Sequence, residues 1–188
     1  MGIALEPGDI FLTRGYGFFS WAIRFVTRSI GEKRTKVNHV GIVVQRGDIK
    51  TAIVVEAQSK VVRHKLWSRY DPPKKDLMAV YRATNLTIEQ VKDIVAEAEK
   101  QVGKKYGFLM IAAHLKDWLF LGIYFFRRMI PGSKYPICSW VVADAFAKIG
   151  KDFGVEVGMA TPDDIWDFVV NNPDKYKEIH PLKLLGQE

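Results

Sequence analysis

The chain has one cysteine, Cys138, in 188 residues. A single cysteine excludes an internal disulfide, and with it a disulfide-stapled secreted fold. It also excludes the paired-cysteine spacings of a zinc finger. Long apolar runs are missing too. The most apolar stretch, Phe108 to Ile130, is broken by His114, Lys116 and Asp117, and its longest clean run is Trp118 to Phe126. A bilayer span needs about 20 apolar residues, so no transmembrane helix is expected. The chain opens Met1-Gly-Ile-Ala-Leu-Glu6, with neither a basic nor an apolar leader, and Glu6 stands where myristoylation at Gly2 needs Ser or Thr. The expected compartment is a reducing cytoplasm. No His-x-x-x-His or acid cluster has metal-ligand spacing, so neither a metal nor another cofactor is expected. His64, His114 and His180 carry no recognisable motif.

What is present is ordinary in bulk and informative in pattern. Apolar residues make up 48% and charged residues 26%, as in a globular domain. The net charge of +7 attracts anionic partners. Without a like-charge block or an aromatic–basic motif, no specific nucleic-acid binding is expected. Residues 1–188 read as one domain.

Strands dominate the first half and helices the second. Ile10–Thr13 follows the turn residues Pro7-Gly8-Asp9. Val37–Val44 and Thr51–Ala57 are rich in Val and Ile, and Val61–Leu66 and Leu77–Arg82 read as two further strands. Asp71-Pro-Pro73 is a connection, since proline cannot donate to a ladder. Phe18 to Ile30 has helical spacing. Thr87 with Gln90 forms a capping box for a helix whose apolar residues are Ile88, Val91, Val95, Ala98 and Val102, with Gly103 at its end. A second helix runs from Pro136 or Ile137 to Gly150. A third opens at Thr161-Pro162-Asp163-Asp164, a cap followed by proline and first-turn acids. The fold class is therefore α+β, an antiparallel sheet packed against helices.

Three residues carry candidate chemistry. Gly47-Asp48 reads as a two-residue hairpin turn, which puts His39 directly opposite Glu56 on one face. A carboxylate there fixes the imidazole tautomer and leaves the other ring nitrogen as a base. Gly41, two residues on and on the same face, marks close approach of a chain segment or a ligand. Cys138 lies at or just inside a helix start, where backbone N–H groups and the helix dipole stabilise a thiolate. The same amides suit a tetrahedral oxyanion. The alternatives are a buried structural His–Glu pair and a small core cysteine.

Pro7-Gly-Asp-Ile10, Asn38-His-Val-Gly-Ile42, Val55-Glu-Ala57, Gly103-Lys-Lys-Tyr-Gly107, Ile137-Cys-Ser-Trp140 and Ala160-Thr-Pro-Asp-Asp164 together resemble the circularly permuted branch of NlpC-type papain-like hydrolases. That branch places histidine before cysteine in the chain. The resemblance implies a permuted papain-like fold, a sheet or half-barrel packed on helices. It implies Cys138 as nucleophile, His39 as base and Glu56 as third polar residue. Tyr106 matches a tyrosine the family keeps near the active site, the alternative being a core tyrosine; Tyr106, Gly41 and Ser139 are the candidate substrate-binding residues. The implied activity is cleavage of a peptide or acyl amide through a thioester. The same branch also resembles lecithin–retinol acyltransferases, so a lipid-directed acyltransferase or esterase is one alternative, and a non-catalytic lipid-binding module another. The stretch from about 108 to 130 is an aromatic insert beyond the family pattern. It is expected to serve as a lid, a peripheral membrane contact or plain core.

Overall fold

The structure, a computed structural model, describes residues 3–15, 35–70, 77–107 and 136–184. The expected helix over 18–30, the Asp71–Pro73 connection and the aromatic insert lie outside the described residues. Among the described residues ten elements follow in order: β1 (Ile10–Arg14), β2 (His39–Gln45), β3 (Ile53–Ala57), β4 (Val61–Lys65), α1 (Leu66–Tyr70), β5 (Leu77–Ala83), α2 (Ile88–Lys100), α3 (Cys138–Ala147), α4 (Pro162–Asn171) and β6 (Tyr176–Leu184). The strands form one antiparallel sheet ordered β4-β3-β2-β1-β5-β6. The α+β expectation holds.

Alternation divides the sheet cleanly, because successive strand residues face opposite sides. Ile10, Leu12, Val40, Ile42, Val55, Ala79 and Tyr81 join the cluster beneath α2, α3 and α4. Phe11, Val43, Val54, Met78 and Val80 face the other way and pack with Leu5, Leu66 and Tyr70. Both faces are buried, so a strand can carry a functional side chain on either side at its end. Among the described residues no helix is long and apolar enough to cross a membrane.

Pro7-Gly8-Asp9 earns its turn. Gly8 sits at φ +89°, a region open to glycine at no steric cost. Asp9, fully buried, accepts from Arg82 Nε at 2.7 Å and Nη2 at 2.8 Å, which ties the chain start to β5.

The capping boxes form at both Thr87/Gln90 and Thr161/Asp164, and Pro162 occupies the first turn of α4. The buried stripe of α2 differs from the expected one. Ile94 and Ala98 are buried, whereas Ile88 is 71% exposed, since the sheet captures only the side of α2 nearest α3. Two elements escaped the sequence reading, the short α1 and the edge strand β6. Pro181 sits inside β6, where an edge position tolerates a missing N–H.

The β2–β3 register also departs from expectation. Gly41, not His39, lies opposite Glu56, and the ladder shifts between Val43 and Gln45. Asp48 is responsible. Its Oδ1 accepts from the N–H groups of Lys50 and Thr51 and from the Thr51 hydroxyl at 2.6–3.0 Å, which builds a longer loop. Gly47 meanwhile pairs with Leu5. The net displacement is two residues, an even number, so His39 and Glu56 keep a common face.

Candidate active site

His39 is the first residue of β2 and Glu56 stands in the interior of β3, diagonal to it. His39 Nε2 meets Glu56 Oε2 at 2.5 Å, with the His39 side chain 18% exposed and the Glu56 side chain fully buried. A buried carboxylate is costly unless its lone pairs are satisfied. Glu56 meets that requirement with two donors per oxygen. Tyr70 Oη donates to Oε2 at 2.8 Å, while His64 Nε2 lies 2.7 Å from Oε1 and Gln58 Nε2 also donates there. Arg69 Nε approaches Oε1 to 3.8 Å. An ionised carboxylate offers about four acceptor sites, so its orientation is fixed from all sides.

Cys138 is the first residue of α3, buried at 4% exposure. Ile137 caps the helix in extended conformation with no side-chain hydrogen bond, so the uncapped N–H groups of the first turn are available to the sulfur. The thiol hydrogen-bonds His39, and the backbone N–H groups of Val40 and Ser139 favour its anion. With Nε2 given to Glu56, Nδ1 is the ring nitrogen left for sulfur. Tyr106 reaches the same sulfur through its hydroxyl. Its segment is laced into place: Tyr106 N–H donates to Ser59 O at 3.2 Å, and Gly107 N–H to Pro136 O at 3.1 Å, two residues before the cysteine.

Charge couples these groups. Burial by itself would raise the Cys138 thiol, but His39 and the backbone donors outweigh it and pull the thiol below its ordinary value. Burial would likewise lower His39, yet the Cys138 thiolate and then Glu56 push the ring up to about 10. Glu56 resists burial for the same reason, held below the usual carboxylate range by His39 and its other donors. Burial, then the thiolate, drives the Tyr106 phenol well above 10. The favoured form is a thiolate beside an imidazolium, a state suited to nucleophilic attack.

Cys138, His39, Glu56 and Tyr106 are thus brought together. Gly41 is close by in sequence, but the approach it permits is that of Phe11, whose Cε1 would lie 2.5 Å from a Cβ placed there. It serves packing under the site. Ser139 is fully buried and its hydroxyl donates to Ala160 O at 2.6 Å, so it offers the site a backbone N–H rather than a side chain. Sequence reasoning missed Gln58, His64 and Tyr70. His64 is revealed only by the fold, because β4 pairs Val62 with Glu56 and so sets residue 64 diagonally on the same face.

A thiol at a helix start, facing a strand-borne histidine on an antiparallel sheet with histidine first in the chain, defines a permuted papain-like protein. Residues 4–120 match the family model described as "Permuted papain-like amidase enzyme, YaeF/YiiX, C92 family", and the chain belongs to that family of thiol amidases and cysteine peptidases. The matched stretch contains His39, Glu56 and Tyr106, and Cys138 follows it in the chain. A solved structure described as metalloprotein yiiX from Escherichia coli O157:H7 is similar over 95% of this chain and 86% of its own, at 20% identity and a TM-score of 0.56, which is a likeness of fold. No curated protein sequence matches the chain. Among the described residues, no group of three or more His, Cys, Asp or Glu side chains is arranged to hold a metal ion.

Proposed function

We propose that the chain cleaves an amide bond, in a peptide or an acyl amide, through a Cys138–His39–Glu56 triad and a thioester intermediate. The observation that carries this reading is the continuous hydrogen-bonded line from the thiol through the imidazole to a saturated buried carboxylate, with the thiol pulled down and the ring pushed up. The Cys138 thiolate attacks the carbonyl carbon. The oxyanion that forms meets backbone N–H groups at the start of α3. The C–N bond then breaks as His39 gives its Nδ1 proton to the leaving amine. The neutral ring takes a proton from water, the hydroxide adds to the thioester carbonyl, and the C–S bond breaks to release the acid and return the Cys138 thiolate beside the imidazolium.

The motif likeness to NlpC-type hydrolases supports the same assignment, and Tyr106 acts in it as a donor to the sulfur. The protein works without a cofactor and without nucleic acid. The test is the pH dependence of Cys138 alkylation by iodoacetamide in wild type and His39→Ala, with unfolded protein as reference, followed by turnover of amide substrates. Fast alkylation well below pH 8 that the variant loses is the expected result. Ordinary thiol behaviour in both proteins overturns the triad. Amide turnover retained by Cys138→Ser overturns the nucleophile assignment. Product formed with an added amine in place of water would redirect the reading to acyl transfer.

A further inference from the structure

Glu56 bridges two histidines. One faces the thiol. The other, His64, has no part in the triad, yet its contact with the carboxylate is nearly as short. We propose that His64 is a positioning residue for this site: its Nε2–H fixes the carboxylate that holds His39 and offsets part of the negative charge His39 meets. The inference rests on the triad reading given above.

Hydrogen-bond accounting supports it. His64 Nδ1 lies 2.9 Å from Lys65 O and 3.1 Å from Ser68 Oγ. The Ser68 hydroxyl also donates to Lys65 O at 2.7 Å, which ties the first turn of α1 to the strand end beside the ring. Nε2 faces a carboxylate kept ionised by its other partners. Nε2 therefore carries a hydrogen and donates to Oε1, and Nδ1 is held against the Lys65 carbonyl and the Ser68 hydroxyl. One end is anchored to the first turn of α1 and the other aims at Oε1, so the ring cannot swing without breaking both bonds. The side chain is 19% exposed and borders a recess of about 420 Å³ with Gln58, Val62, Arg63, Ser68 and Arg69. The charged neighbours are few. Arg69 lies 3.8 Å from Oε1, Arg63 is turned toward Glu99 at 2.9 Å, and Lys65 follows on the strand. Among the described residues, no second carboxylate borders the recess to replace His64's partner.

The test compares wild type, His64→Gln and His64→Leu. Glutamine keeps an amide donor within reach of Oε1; leucine keeps the bulk and removes the donor. Iodoacetamide alkylation of Cys138 at neutral pH reads the positioning, and ring-nitrogen NMR reads the titration of His39. For leucine, alkylation falls by about fivefold or more, and glutamine restores it to within about twofold. In the leucine variant the His39 midpoint also rises, by about half a pH unit or more, because Glu56 loses a donor and its charge then bears more strongly on His39. A purely structural role would not raise that midpoint while Gln restores the rate. An activated wild-type thiol with all three alkylation and titration curves superimposed overturns the role of His64 and leaves the triad standing. An ordinary, slow wild-type thiol overturns the triad and this role with it.

Discussion

Oε2 of Glu56 receives His39 and Tyr70, and Oε1 receives His64 and Gln58, so four donors converge on one buried carboxylate. That arrangement makes Glu56 a structural keystone, and the proposed triad makes it the partner of His39 as well; the two roles respond differently to substitution.

Glu56→Gln keeps the shape and removes the charge. An amide has one oxygen and one NH₂, so in either orientation the NH₂ faces two donors. We expect a stability loss of about 3 kcal/mol, the range for leaving buried donors unpaired, visible as a lower denaturation midpoint. Amide turnover should fall less than in His39→Ala, because orientation is impaired while the base remains. A stability change within about 0.5 kcal/mol would contradict the four-donor geometry.

Tyr106→Phe removes one hydroxyl donor to Cys138 and keeps the ring in its place. A hydrogen bond to a charged group contributes about 1.5–3 kcal/mol, so the thiol should titrate about one unit higher or more. Alkylation at neutral pH then slows, while thermal stability changes little. An unaltered thiol titration would reduce Tyr106 to a core tyrosine.

The coupled pair predicts a flat-topped stability profile. His39 is raised from 6.5 to about 10, so its contribution is fully present below 6.5 and is lost as pH rises toward 10. Cys138 is lowered from 9.0, so its contribution is fully present above 9 and is lost as pH falls toward the folded value. Where the folded thiol is ionised and pH lies between 6.5 and 9, the two slopes cancel, because folded thiolate–imidazolium and unfolded thiol–imidazole bind the same number of protons. The stability difference between wild type and His39→Gln/Cys138→Ala, in which neither group titrates, should plateau there and shrink on both sides. Denaturant midpoints taken across pH 5–10 check it. A difference that slopes steadily through 6.5–9 would mean the pair is not zwitterionic.

Where local chemistry decided structure, the sequence was readable. Thr87 and Thr161 cap the helices they were expected to cap, and Val/Ile runs became β2 and β3. The His39–Glu56 contact was legible because strand periodicity survives an even slip, even though Asp48 built a different loop. What stayed hidden depended on tertiary context. Pro181 and the charges beside it disguised β6, whose place at the sheet edge excuses them. α1 is too short for a helical period to show. His64, between Arg63 and Lys65, read as a solvated basic strand until β4 paired with β3 and turned it toward Glu56. Gly41 was recognised as a close approach, but only the packed sheet shows Phe11 to be the approaching group.

Gly41 supplies the last prediction, since it separates packing from ligand binding. A Cβ at this position would meet Phe11 Cε1 at 2.5 Å and the Val55 carbonyl oxygen at 2.9 Å. The ring is fully buried and holds Tyr70 edge-on at 5.9 Å, so it cannot move aside freely. Overpacking of this kind destabilises by about 1–3 kcal/mol, and Gly41→Ala should fall at the upper end because backbone is also crowded. Phe11→Leu in the same chain should recover part of the loss, although leucine alone would be destabilising, because the pair shares one volume. The strain also reaches the site through Tyr70, which donates to Glu56, so the double variant should regain alkylation rate along with stability. A Gly41→Ala protein of unchanged denaturation midpoint and altered KM alone would instead assign the position to substrate.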